Sequence, residues 1–386
     1  MVDTVRSFDA RSLDAVRPST PEEKKEFAET CALLGISEKV YWDLLAQADI
    51  TALRHHGISL RFERSIFFSW YCSIRDCKFC YMSTQPKDKT RMARRTFESL
   101  YVEAFLCRTL GWQFGFLSGG TGVYTPVEIK GLIKNVSLIV GHKIWVNIGV
   151  VPPKLMEELA PFIEGVTGSV ETVDRKLHDY VCPSKPLPPI EKMYDYSTGL
   201  GLRNAMTFII GLGEKPSIIA ELEGFIRKHH IVKIHLYGLN PQEGTVYQGK
   251  EPPSKYLQAW YIARIRVAFP EMDIEAGVWE DRMQYIPLLL RAGATSLSKF
   301  AATRLFGKKE SFAFEDAVRS GGREFLGTLT KMPLLDWEAE IVKLPLDSDI
   351  KELIRKKLFD YVDVMSGKRK LVRRAGKGQA HTRKVV

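Results

Sequence analysis

Ser69-Trp70-Tyr71-Cys72-Ser73-Ile74-Arg75-Asp76-Cys77-Lys78-Phe79-Cys80-Tyr81-Met82 sets three cysteines at the spacing C-x4-C-x2-C, directly after an apolar, aromatic run. Three thiolates this close can hold three irons of a [4Fe–4S] cluster and leave the fourth iron without a protein ligand. An open iron calls for a ligand from outside the chain. Zinc is the competing reading, and a tetrahedral zinc needs a fourth ligand. The nearest histidines in sequence, His55 and His56, stand at no knuckle-like spacing.

Outward from this stretch, short apolar runs alternate with helical ones. The pattern predicts strands near 64–70, 113–117, 144–148, 166–171, 204–210, 232–236, 273–276 and 295–299, with helical segments such as 96–111, 126–139 and 254–268 between them. Eight βα units predict an α/β fold, a closed (β/α)8 barrel over residues 61–306. Chemistry in such a barrel sits at the C-terminal ends of the strands. The cysteine loop, Ser118-Gly119-Gly120, Asn147, Glu171 and Gly211 all fall there.

Residues 1–60 form a predicted helical extension. Ser19-Thr20-Pro21-Glu22-Glu23 supplies a cap, a first-turn proline and first-turn acids. Phe27, Cys31 and Leu34 continue at helical spacing, and a second, short helix runs from Ser37 toward Ala46. This region is expected to plug or cover one barrel end. Residues 307–366 are a second helical extension, with 347–361 as its clearest helix, and 367–386 a basic tail.

The chain of 386 residues, 45% hydrophobic, can bury a large core. Its net charge of +10 is concentrated in the tail, where Lys368, Arg369, Lys370, Arg373, Arg374, Lys377, Arg383 and Lys384 meet no acid. The body is therefore near neutral and is not a phosphate-binding surface by charge, and the tail reads as disordered. Six cysteines are too few for a disulfide scaffold and suit a reducing compartment. With no long apolar run, the expectation is a cytoplasmic protein without a membrane or nucleic-acid partner. The opposing class is a non-enzymatic Fe–S or zinc protein that binds RNA through its tail.

The cysteine stretch resembles the cluster loop of the radical S-adenosylmethionine (SAM) superfamily, with one residue more than the usual C-x3-C-x2-C. The resemblance implies a [4Fe–4S] cluster on Cys72, Cys77 and Cys80. SAM would bind the open iron through its amino and carboxylate groups, and reductive cleavage would give a 5′-deoxyadenosyl radical. Leu117-Ser118-Gly119-Gly120-Thr121 stands where the superfamily has a G-G-E segment against the SAM amino group, with Thr121 in place of the acid. Glu171-Thr172-Val173, followed by Val181-Cys182-Pro183, is similar to a lipoyl synthase pattern, and Gly211-Leu212-Gly213-Glu214 to the G-L-G-E turn of the same group. Glu275-Ala276-Gly277 and Ala292-Gly293-Ala294-Thr295-Ser296 stand where these enzymes have A-G and G-A-N-S, so the resemblance covers about residues 64–306.

By this resemblance Ser118, Gly119, Gly120, Asn147, Glu171, Gly211 and Tyr71 contact SAM. Trp70 and Tyr71 shield the cluster, and no protein acid–base dyad is required. The resemblance further implies sulfur insertion in lipoyl synthesis, on an octanoyl chain carried by a lipoyl-domain lysine or on a small molecule. A second radical SAM protein would be the partner, and reduced ferredoxin or flavodoxin the electron donor. Assembly of a hydrogenase iron cofactor, as by the related hydrogenase maturase, is the alternative. The strand-two and strand-five segments carry no matching cysteine, and Asp273 stands near the place of biotin synthase's barrel arginine, which argues against biotin synthase itself.

For Glu171 the competing reading is an exposed cap of the next helix. His178 is expected to pack or cap, Cys107 to be core and Cys182 to face the cavity, with a second cluster on Cys182 the remoter option. His235, Tyr237 and Asn240 are expected at the cavity mouth, orienting a polar substrate or satisfying loop backbone.

Overall fold

The structure is a computed structural model that describes residues 13–85 and 93–368, so all of the predicted tail beyond Lys368 lies outside the described residues. Eight parallel strands, β1 Ser59–Phe67, β2 Gln113–Ser118, β3 Ile144–Asn147, β4 Ile163–Glu171, β5 Arg203–Ile210, β6 Ile231–Gly238, β7 Asp273–Gly277 and β8 Ser296–Ser298, follow one another in spatial order. β1 pairs with β8 at Arg61 and Phe62 and with β2 from Glu63 to Phe67, which closes the barrel. Helices follow the strands and cover the outside, as the βα alternation requires.

Period-two alternation separates two cores. On β6, Ile234 and Leu236 are buried toward the helices, while Lys233, His235 and Tyr237 point the other way, into the barrel. Helix starts are locally encoded: Thr20 with Glu23 and Thr125 with Glu128 form capping boxes, each with proline in the first turn. Each cap stabilises by about 1 kcal/mol.

Three expectations need correction. β1 begins at Ser59 and ends at Phe67, not 64–70. Its start is polar because Glu63 turns into the barrel and Arg64 turns outward to Glu103, 2.8 Å away, so no apolar run marks it. The second N-terminal helix is longer than expected, Glu38–His56, and it joins the outer layer. Tyr41 donates to the Tyr256 carbonyl (2.9 Å) and Arg291 reaches Asp49 (2.8 Å), which seats it along the helices Lys255–Ala268 and Ile286–Arg291. The C-terminal extension holds the helices Lys309–Ser320, Trp337–Val342 and Ser348–Met365 and also a ninth strand, β9 Glu324–Leu326, which pairs parallel with Ser59–Arg61.

Candidate active site

The C-terminal ends of the strands ring a cavity of about 260 Å³. Cys72, Cys77 and Cys80 all line it, together with Ser118, Gly119, Gly120, Asn147 and Glu171. Gly211 and Tyr71 are not part of the lining: the Gly211 amide donates to Glu214 (2.7 Å), and Arg75 stacks over the Tyr71 ring.

The cysteine loop leaves β1 and is held from two sides. Ser73 N donates to Thr121 O (2.9 Å) and Cys72 Sγ lies 3.5 Å from Thr121 Oγ1, which ties the loop to the turn after β2. Lys78 N donates to Val181 O (2.9 Å), which ties it to the end of the helix Arg175–Val181. Gly120 fits under the loop because it has no side chain. A Cβ there would overlap the Tyr71 carbonyl oxygen, and one at Gly119 would overlap the Phe68 ring. Thr121 holds the loop with both its carbonyl and its hydroxyl, the latter 3.0 Å from Ser73 Oγ.

Glu171 ends β4 with φ +62, a left-handed conformation uncommon outside glycine, and is buried. It accepts from Lys185 Nζ and from Thr207 Oγ1, both at 2.9 Å. The exposed-cap reading of Glu171 is thus wrong, and Asp174 caps the following helix by accepting from Leu177 N. Burial alone would lower the Lys185 ammonium, but Glu171, Cys182 and Cys77 outweigh it and raise the group well above its ordinary range. His178 packs as expected, bridging Val170 O (2.8 Å) and Lys185 O (2.7 Å). This fixes the backbone from which Lys185 reaches the cavity. Lys185 escaped the sequence reading; its only signal is a lone lysine in the run Pro183-Ser184-Lys185-Pro186.

Cys182 does not face the cavity: it is buried, and packs in an apolar cluster that Cys77, Phe79 and Leu177 also join. Cys107 is core, as expected.

His235 is also not at the mouth. It is buried inside the barrel, Nδ1 2.5 Å from Glu275 Oε2, and its ring meets Phe116 edge-on. Tyr237 lines the cavity and donates to the same Glu275 oxygen (3.0 Å), while Ser298 donates to the other. Burial by itself would raise the Glu275 carboxyl, yet the His235 and Ser298 hydrogen bonds hold it below the usual carboxylate range. Beneath lies Glu63, which accepts from Lys233 (2.7 Å) and Ser296 (3.0 Å). The ligand atoms of Glu63, His235 and Glu275 lie within 4.8 Å of one another, but Lys233 already supplies a cation to this group. The network meets the cavity through Tyr237 and lies behind Phe116, both of which line it. Asn240 lines the cavity and accepts from Arg282 (2.7 Å).

On the far wall Lys299 follows β8, again with left-handed backbone (φ +69). Its ammonium lies over the Tyr237 ring, 4.4 Å from the centroid, and over Phe67 at 5.4 Å. Burial lowers this ammonium, against the pull of Glu275, Glu171 and Cys80.

The class defined by this geometry is a closed parallel (β/α)8 barrel with its cavity at the C-terminal ends of the strands. Methylornithine synthase (PylB) superposes with a TM-score of 0.66 at 16% identity, over 86% of this chain and 98% of that one. The FeFe-hydrogenase maturase HydG from Carboxydothermus hydrogenoformans gives 0.61 at 13% identity, over 92% and 93%. No family model matches. Over 296 residues the chain is 38% identical to the uncharacterized protein MJ0597 of Methanocaldococcus jannaschii, spanning 76% of this chain and 82% of that protein, and it belongs to the family of that protein. Among the described residues no helix is long and apolar enough to cross a membrane.

Proposed function

We propose that the chain is a radical SAM enzyme whose Cys72, Cys77 and Cys80 hold a [4Fe–4S] cluster. The carrying observation is that these three thiols line one cavity at the C-terminal end of a closed barrel. The donor set fits the group: three thiols line the cavity while Cys31 and Cys107 do not, and Cys182 pairs with Cys77 from outside the lining, so three protein ligands would leave one iron open to SAM. When bound, the cluster would supply the electron that cleaves SAM to 5′-deoxyadenosyl, a species able to take hydrogen from an unactivated C–H bond.

The chain's own residues do the positioning. Gly119 and Gly120 let the β2 turn approach the cysteine loop, while Asn147 and Ser169, joined at 2.9 Å, present polar groups on the adjacent strand ends. Glu171, paired with Lys185, offers a carboxylate to an amino or hydroxyl group. Phe67, Trp70, Phe116, Ile209, Leu239 and Trp279 keep the cavity apolar, which limits side reactions with water. Anaerobic iron loading followed by assay of 5′-deoxyadenosine with dithionite and SAM tests this reading.

Sulfur insertion in lipoyl synthesis, with a second radical SAM protein as partner and ferredoxin or flavodoxin as donor, rests on the sequence resemblance alone. Mass analysis of an octanoyl-lipoyl domain after incubation with the chain and its partner tests that finer reading. No gain of sulfur removes it.

A further inference from the structure

We propose that Lys299 anchors the carboxylate of a small, otherwise apolar substrate in the cavity beneath the cysteine loop. The inference rests on the radical SAM reading only for the identity of the site, and three observations of the chain itself carry it.

First, the two cavity lysines differ in what they already hold. Lys185 is committed to Glu171 at 2.9 Å. Lys299 makes no hydrogen bond or carboxylate ion pair with any described residue; it rests on the faces of Phe67 and Tyr237. An aromatic face compensates a desolvated ammonium only in part, so the group remains available to an anion.

Second, the backbone at Lys299 is strained. A φ of +69 suits glycine, and a lysine that adopts it while lining a cavity points to a role for its side chain.

Third, the surroundings define the rest of the ligand. Phe67 lies under the ammonium, and Phe116, Leu239 and Trp279 line the same cavity, which favours an apolar ligand small enough to share it with SAM. One ammonium that already faces the charges of Glu275 and Glu171 matches at most a monoanion; a phosphate dianion would call for further cationic donors. On the reading above, the carboxylate of SAM is held by the open iron, so the carboxylate at Lys299 belongs to a second molecule.

The probe is hexanoate, compared with neutral hexanamide and with hexylphosphonate, titrated into the iron-loaded full chain and followed by the fluorescence of Trp70 and Trp279 in the cavity wall. Hexanoate is expected to bind at least ten-fold more tightly than hexanamide and no less tightly than hexylphosphonate. Lys299→Met abolishes the preference for hexanoate over hexanamide. Lys299→Gly does the same while leaving Tm unchanged or higher, because glycine accepts the backbone conformation. Absence of hexanoate binding, equal binding of acid and amide, tighter binding of the phosphonate, or a preference that survives in both variants each overturns the proposal. Carboxylate selectivity in a fully iron-loaded chain that forms no 5′-deoxyadenosine would leave the anion site standing and remove the radical reading instead.

Discussion

Lys185 Nζ stands 2.9 Å from Glu171 Oε1, and both side chains line the cavity beside the three cysteines. Their side chains are 17% and 10% exposed, so neither charge can rely on water. Lys185→Met leaves a buried carboxylate without its cation and is expected to cost about 3–5 kcal/mol. Adding Glu171→Gln removes the stranded charge and should recover most of that loss. Denaturant titration of the two variants and the Glu171→Gln single mutant completes the cycle; strictly additive losses would show that the pair is not coupled.

Gly120 is required by the seat of the cysteine loop. Gly120→Ala pushes a methyl into the Tyr71 carbonyl and must displace the backbone that carries Cys72. Bound iron after anaerobic loading should fall below about half of the wild-type value, because a displaced thiol no longer closes the three-cysteine set. Gly131→Ala is the matched control: that glycine lies within the helix Pro126–Val140 with open space around it, and the change should stabilise by about 1 kcal/mol without altering iron content.

Asp49 holds the N-terminal extension to the barrel's outer layer, accepting from Arg291 at 2.8 Å and Arg323 at 2.5 Å in a buried cluster. Asp49→Asn removes the buried anion that the two guanidinium groups share, although Arg323 keeps its bond to the Leu290 carbonyl. The expected cost is about 3–5 kcal/mol by guanidinium chloride titration. A change below 1 kcal/mol would mean that the extension is attached by its apolar contacts alone.

Glu103 predicts acid sensitivity. Burial would raise its carboxyl, but Arg95 and Arg64 outweigh burial and bring it from an ordinary 4.5 to about 2. A carboxyl whose value falls on folding stabilises the native state above its ordinary range, and that contribution fades as pH drops from 4.5 toward 2. The shift corresponds to about 3 kcal/mol. The group also anchors the C-terminal extension, since Tyr361 approaches Glu103 at 3.4 Å and Ser99 at 2.8 Å. In stability measured against pH, Glu103→Gln should lack this part of the acid slope while being less stable than wild type at pH 7.

The barrel was legible in the sequence because β2 to β8 are apolar on their helix-facing side and each is followed by a helical period. β1 was misplaced where Glu63 and Arg64 interrupt that signal for partners at Lys233 and Glu103. β9 is three residues long and gave no periodicity to read. The same limit applies to the site. The cysteine spacing, Asn147 and Glu171 are local features of strand ends, whereas the His235 to Glu275 contact joins residues 40 positions apart and the Lys233 to Glu63 pair 170 apart. Lys185 and Lys299 carry no motif; their meaning comes from Glu171 and from the Tyr237 ring.

The most direct test of the central claim is formation of 5′-deoxyadenosine by the anaerobically purified full chain, with iron counted in the same sample. The account predicts about four irons per chain, SAM cleavage under dithionite, and loss of both when Cys72, Cys77 and Cys80 are replaced together. A chain that carries its full complement of iron on these cysteines and yields no 5′-deoxyadenosine with SAM and reductant would contradict it.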